Sequence, residues 1–255
     1  MSDTRISAKP YIIGSTSTGF VVPTGAVGGS SILSFTDNQD ASFGTRPTPA
    51  FTGANIGAAF ANRRVLICFS SDASYHSPQA NNITIQGITS TIVNTYVGSG
   101  GNLGSFGGVI IWAWADVPTG TTADIDYSDG PVTGDGPLYI SVFTFDKSLI
   151  INSSPVSSFT NVIGATSDTV TVNTGLGGFI LAAIVPDFFN TDIINCSVTA
   201  STETLTQLHS QMNVGVGAKY QIYGLMSGSH VNTPTSVTFG WTNASQALAS
   251  ILAWN

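Results

Sequence analysis

The stretch that most constrains this chain is Gly107 to Tyr127, GGVIIWAWADVPTGTTADIDY. Val109 to Asp116 is an apolar run of Val, Ile and Trp, residue types that fill a pleated surface. Val117-Pro118-Thr119-Gly120 turns the chain, with proline fixing φ and glycine relieving steric strain. The return run alternates: Ala123, Ile125 and Tyr127 point one way, and Thr122, Asp124, Asp126 and Ser128 the other. That period of two marks a half-buried strand. The stretch is therefore predicted to be one β-hairpin.

A degenerate copy follows. Ala218 to Met226 (AKYQIYGLM) mirrors the Val109 run, and Ser236 to Trp241 mirrors the return run, with Val237, Phe239 and Trp241 alternating inward. Around it, Gly177 to Val185 mirrors the strand at Arg64 to Ser70. Asn195 to Ala200 and Leu205 to His209 mirror the ITIQG pair at Ile83 to Tyr96, and Ala247 to Trp254 mirrors Leu138 to Phe145. Five strands recur in one order, about 120 residues apart, with no helical periodicity between them. This predicts an all-β chain: a β-sandwich or jelly-roll of about ten strands built from two similar five-strand halves, about 49–147 and 168–255. No low-complexity linker separates the halves, so one intertwined sandwich over 31–255 is expected. Residues 1–30, dense in Gly, Ser and Thr, read as an irregular N-terminal arm, either a floppy terminus or a segment that orders on a partner.

Composition narrows the function classes. Charged residues are only 8% and the net charge is −7, so no basic patch exists to meet phosphates, and a nucleic-acid partner is not expected. No run reaches the roughly 18 apolar residues of a membrane helix, and no export signal opens the chain, so no membrane insertion is expected. Cys68 and Cys196 lie in apolar, strand-like runs and read as buried thiols rather than a bridge.

No constellation carries catalysis. Glu203 is the only glutamate, His76, His209 and His230 lack metal-ligand spacing, and no G-x-S-x-G elbow is present. No enzyme activity, cofactor or resident metal is expected. Asp124, Asp126, Asp129 and Asp135 imitate a calcium loop, but the glycine is one place late and the flanks are strands. Gly98 to Gly108 does not fit a phosphate cradle and opens a strand rather than a helix. Arg63-Arg64 reads as a strand-end anchor reaching a carboxylate or carbonyl. Trp112 and Trp114 share one strand face with Ile110 and read as core or subunit interface. Candidate ligand or partner contacts are Tyr75 and His76 in the loop Ser70 to Gln79, Asn102 and Phe106 in the glycine-rich loop, and Tyr11 and Ile12 in the arm.

Four segments together resemble a known group: Phe51-Thr52-Gly53-Ala54-Asn55-Ile56-Gly57 with Arg63 to Ile67, Ile83 to Val93, Trp114 to Ser128, and Thr235 to Trp254. They are similar to β-sandwich proteins encoded in the structural clusters of tailed bacteriophages, prophages and gene transfer agents, over about residues 31–255. The resemblance implies a non-enzymatic virion surface component: a head fibre or spike, a capsid decoration protein, or a tail-fibre module. Its expected partners are the major capsid protein or other virion subunits and further copies of itself, a trimer among the options. Its expected location is the virion, assembled in the host cytoplasm. The alternative is a carbohydrate- or host-receptor-binding module of a tail fibre, with a host surface glycan as ligand. The resemblance carries over no catalytic residues.

Overall fold

The computed structural model describes residues 33–41, 51–71, 82–97, 109–128, 138–150, 155–174, 179–186, 196–201, 205–213, 218–225, 233–242 and 246–254. Among them are seventeen strands and one short 3-10 turn at Lys147–Leu149. In chain order the first nine strands are β1 (Leu33–Ala41), β2 (Phe51–Asn55), β3 (Arg63–Ser71), β4 (Asn82–Ile85), β5 (Ile88–Thr89), β6 (Thr91–Val97), β7 (Val109–Asp116), β8 (Thr122–Ser128) and β9 (Leu138–Asp146). The rest are β10 (Val156–Ile163), β11 (Ser167–Thr174), β12 (Phe179–Pro186), β13 (Cys196–Ala200), β14 (Thr206–Asn213), β15 (Ala218–Leu225), β16 (Thr233–Trp241) and β17 (Gln246–Trp254). The all-β class is as the sequence predicts. The count exceeds the expected ten in part because β2, β10 and most of β1 lie in polar or mixed segments that carry no clear alternation.

The strands form four antiparallel sheets. Inner sheet one has the order β1-β9-β3-β7-β6 and outer sheet one the order β2-β8-β4-β5. Inner sheet two runs β10-β17-β12-β15-β14 and outer sheet two β11-β16-β13. Residues 33–146 thus supply one pair of sheets and residues 156–254 the other.

The predicted hairpin at Gly107 to Tyr127 is not one. β7 pairs with β3 and β6 in inner sheet one, whereas β8 pairs with β2 and β4 in outer sheet one. The reason lies in the two patterns. β7 is apolar on both faces and needs a core on each side. Ile111, Ala113 and Ala115 enter the core shared with outer sheet one, while Ile110 and Trp112 enter a second core. β8 is apolar on one face only, so it belongs in an outer layer, where Ala123, Ile125 and Tyr127 point inward and Thr122 and Asp124 are exposed. A continuous run and an alternating run therefore mark different layers of one stack.

Three cores separate the four layers. The first, between outer and inner sheets one, includes Val65, Ile67 and Phe69 of β3, with Phe69 stacked on Tyr127 at 4.4 Å. The third, between the second pair, joins Ile180, Ala182 and Ile184 to Val237, Phe239 and Trp241. The middle one lies between the two inner sheets. It contains Leu66, Cys68, Trp112, Phe143 and Phe145 from residues 33–146, with Phe179, Leu181, Leu248, Leu252 and Trp254 from the second set. The Ile83-to-Tyr96 pair is half as predicted. β4 and β5 form a two-residue hairpin with Gln86 at φ 53° and Gly87 at φ 72°, the left-handed pair that such a turn requires. Beyond it Ser90 hydrogen-bonds Ile83 O through both its N–H and its Oγ as the chain leaves for inner sheet one.

Cys68 is buried in the middle core, and Cys196 lies partly exposed at the start of β13. The two thiols occupy different layers and form no disulfide. Cys196 therefore departs from the expected fully buried thiol, because it stands at a strand end in an outer sheet.

Candidate functional site: an arginine and tryptophan cluster at one end of the central layer

The candidate contacts Tyr75, His76, Asn102, Phe106, Tyr11 and Ile12 lie outside the described residues, as do Asp129 and Asp135. The arm expected over 1–30 and the glycine-rich loop at 98–108 lie outside them too. Asp124 and Asp126 are described, on β8. Asp124 Oδ1 accepts the Gly53 N–H at 2.8 Å, and its own N–H donates to Gln86 Oε1 at 3.1 Å. Its carboxylate therefore ties β2 to β8 across the outer sheet. Among the described residues no group of three or more His, Cys, Asp or Glu could hold a metal ion.

The charges that the structure does bring together lie at the start of β3. Arg63 is fully buried, and its guanidinium faces carbonyls alone. Nε donates to Val117 O at 2.7 Å. Nη1 donates to Ile56, Gly57 and Ala58 O at 3.2, 2.9 and 2.9 Å, and Nη2 to Thr119 and Gly120 O at 2.6 and 2.9 Å. A planar fork with five N–H groups suits such a ring of acceptors, which a lysine ammonium would not fill. Burial lowers the guanidinium's pKa from its ordinary value. The effect is to pin the loop after β2 and the turn after β7 to one strand end.

Arg64, next along the strand, points to the opposite face. Its Nε meets Asp116 Oδ1 at 2.8 Å and its Nη2 meets Oδ2 at 3.3 Å, while Lys147 Nζ reaches Oδ2 at 2.8 Å. The Arg64 guanidinium carbon lies 3.5 Å from the centroid of the Trp114 ring and 5.3 Å from that of Trp254. Such cation–π contacts strengthen as the cation is desolvated. Trp254 also packs on Phe145 at 5.1 Å and Phe179 at 6.1 Å. The cluster closes one end of the central layer and joins both sets of strands. Burial alone would raise the Asp116 pKa, but hydrogen bonds and charge from Arg64 and Lys147 outweigh it and hold the carboxyl below its ordinary value.

The Arg63-Arg64 anchor expected from sequence is present in both its forms, with carbonyls for one residue and a carboxylate for the other. Asp116, Lys147 and Trp254 were not among the expected partners. The legible signal was Asp116, a lone acid closing an apolar strand directly opposite Arg64. What the cluster offers chemically is fixation. Its carboxylate is held by two cations and has no nucleophile or histidine among its described hydrogen-bond partners.

Comparison of the chain with models of known protein families, with curated proteins and with solved structures gives no match.

Proposed function

We propose that this chain is a non-enzymatic structural protein of a tailed-phage virion. On this reading it is displayed on the particle surface as capsid decoration or as a head fibre or spike, and residues 1–30 dock it there. The observation that carries the reading is the strand wiring. Apart from the β4–β5 hairpin and the edge strands β6 and β14, which join β7 and β15 in the inner sheets, successive strands alternate between inner and outer sheets, so that β1, β9, β3 and β7 lie in one layer and β2, β8, β4 and β5 in the other. The second set repeats this with β10, β17, β12 and β15 against β11, β16 and β13. Such wiring supports reading each set as a jelly roll, an architecture of viral capsid and lectin domains. We read the chain as two such units in tandem.

The use of charge supports a building block rather than a catalyst. Arg63, Arg64, Asp116, Asp124 and Lys147 are committed to bonds that hold loops and layers. Partner virion subunits and further copies of the chain are the partners this reading requires.

The test is mass spectrometry of purified particles from the source that encodes the chain, with copy number, followed by binding to empty capsids. Presence at a copy number near that of the capsid subunits, with binding lost on deletion of residues 1–30, supports decoration. A handful of copies supports a vertex or tail fibre. Absence from particles, together with retention of the free protein on host-cell glycan, would sink the capsid reading in favour of a receptor module.

A further inference from the structure

We propose that the central layer is a self-complementary subunit interface enclosed within one chain. Inner sheets one and two are two versions of one docking surface, related by an approximate twofold axis that passes between Phe145 and Trp254. The inference rests on reading the chain as two equivalent units. It goes further by assigning how such units recognise each other.

The hydrogen-bond registers fix which residues correspond. Leu66 lies opposite Trp114 and Phe143, and Leu181 lies opposite Gly224 and Leu252. With Leu66 matched to Leu181, Cys68 matches Ala183, and the buried serines that face them, Ser141 and Ser250, fall on the same position. The same match aligns a defect. β6 carries one extra residue against β7, Val93, between Ile92 and Asn94. β14 carries one extra residue against β15, Leu208, between Gln207 and His209. Both bulges stand opposite matched positions, and both extra residues pack into the central core. A bulge re-aims a side chain. Here the same device at the same register aims an apolar residue into the same layer from each sheet.

At the Phe145 end of the layer the contacts follow the same relation. Under the match, Arg64 corresponds to Phe179 and Phe145 to Trp254. In a twofold interface, if residue i meets j′, then j meets i′. Phe145 packs on Phe179 at 5.2 Å, and its counterpart Trp254 takes Arg64 at 5.3 Å. Phe145 and Trp254, counterparts of each other, touch directly at 5.1 Å, as residues beside an axis must. Two unrelated sheets packed by apolar burial alone would have no reason to share the bulge, the serine and this reciprocal pair. The match also shows where the units have diverged: Gly224 stands where Trp114 does, so the arginine–tryptophan cluster exists at one end only.

A full-length chain with an N-terminal affinity tag and a protease site inserted between Ile150 and Pro155 tests the proposal. After cleavage in native buffer the halves are expected to stay together at the mass of the intact chain. The second half is then stripped on the resin with urea, the urea is removed, and the first half is examined by circular dichroism and native mass spectrometry. The expected result is a folded first half at twice its own mass, returned to a one-to-one complex when the second half is added back. In a Cys68→Ala background, Phe145→Cys should let a short bis-maleimide cross-linker trap this dimer, because side chains beside the axis meet their own copies. A first half that is folded but monomeric, open-ended in its association, or dimeric without being trapped through position 145 would overturn the interface and leave the two-unit reading standing. A first half that does not refold without its partner would overturn both.

Discussion

Across the central layer the indole N–H of Trp112 donates to the Ser250 hydroxyl at 2.9 Å, and that hydroxyl donates in turn to Ser158 O at 3.3 Å. It is a polar bond in a largely apolar core, and it joins residues 138 positions apart. Ser250→Ala should cost about 1–3 kcal/mol, because it leaves a buried N–H without an acceptor. Trp112→Phe should cost a similar amount through lost volume. The double variant should be less destabilised than the sum of the two, by at least about 0.5 kcal/mol. Urea denaturation of the four proteins measures this, and strict additivity would remove the bond from the account.

Arg63 holds two loops through six carbonyls. Arg63→Met leaves those acceptors buried and unanswered, and a loss on the order of 3–5 kcal/mol is expected, as when one side of a buried polar network is removed. Arg63→Lys should recover only a minor part, because an ammonium cannot span acceptors on both loops. Limited proteolysis should find new cuts near residues 56–62 and 117–121. A variant as stable as the parent would mean that the carbonyls find other donors.

The Asp116 carboxyl has a depressed pKa in the fold, so the stability it adds is present above its unfolded pKa of about 3.9 and is lost as pH falls through the folded value. Asp116→Asn should therefore lower the melting temperature at pH 7, by an amount corresponding to about 1 kcal/mol after allowance for solvent screening of a side chain 36% exposed. The gap between variant and parent should close as the pH drops below about 4. Melting curves at stepped pH decide this, and a gap that stays constant with pH would count against the linkage.

Thiol accessibility should separate the two cysteines. Cys196 is partly exposed and should react with a maleimide in the native state, whereas Cys68, at 0% exposure in the central layer, should react only on unfolding. Peptide mapping after a native-state pulse reads this directly. Rapid labelling of Cys68 would mean that the central layer opens.

Much of the inner architecture was legible because burial on two faces writes a recognisable sequence. The facing of Val65, Ile67 and Phe69 against Leu66 and Cys68 followed from alternation, as did the inward set Val237, Phe239 and Trp241. Pairing was less legible than facing. The segment Val117 to Gly120 has the residues of a hairpin turn, yet the chain uses it to pass from an inner to an outer sheet. Turn chemistry reports that the chain bends, not which neighbour it then joins. β1 is legible only as far as Phe35, because Thr36 to Asp40 is polar, as the bulged edge of a sheet can be. The arginine cluster was half legible. A strand-end cation implies an acceptor, but Trp254 comes from the far end of the chain and nothing local announces it.

The wiring also has a consequence for how the chain is made. In each inner sheet the last strand of its set fills an interior place: β9 lies between β1 and β3, and β17 between β10 and β12. Leu33 waits for Phe145 and Val156 for Ala253. During synthesis, then, neither sheet can be completed from its earlier strands, and β1 and β10 stay without their partner until the final segment of their set leaves the ribosome. Non-local pairing of this kind is slow. A stop between Asp146 and Gln246 would leave a nascent chain whose first set can close but whose inner sheet, until a second copy covers it, shows Trp112 and Phe143 to water, a surface that marks the truncated product for chaperone or protease.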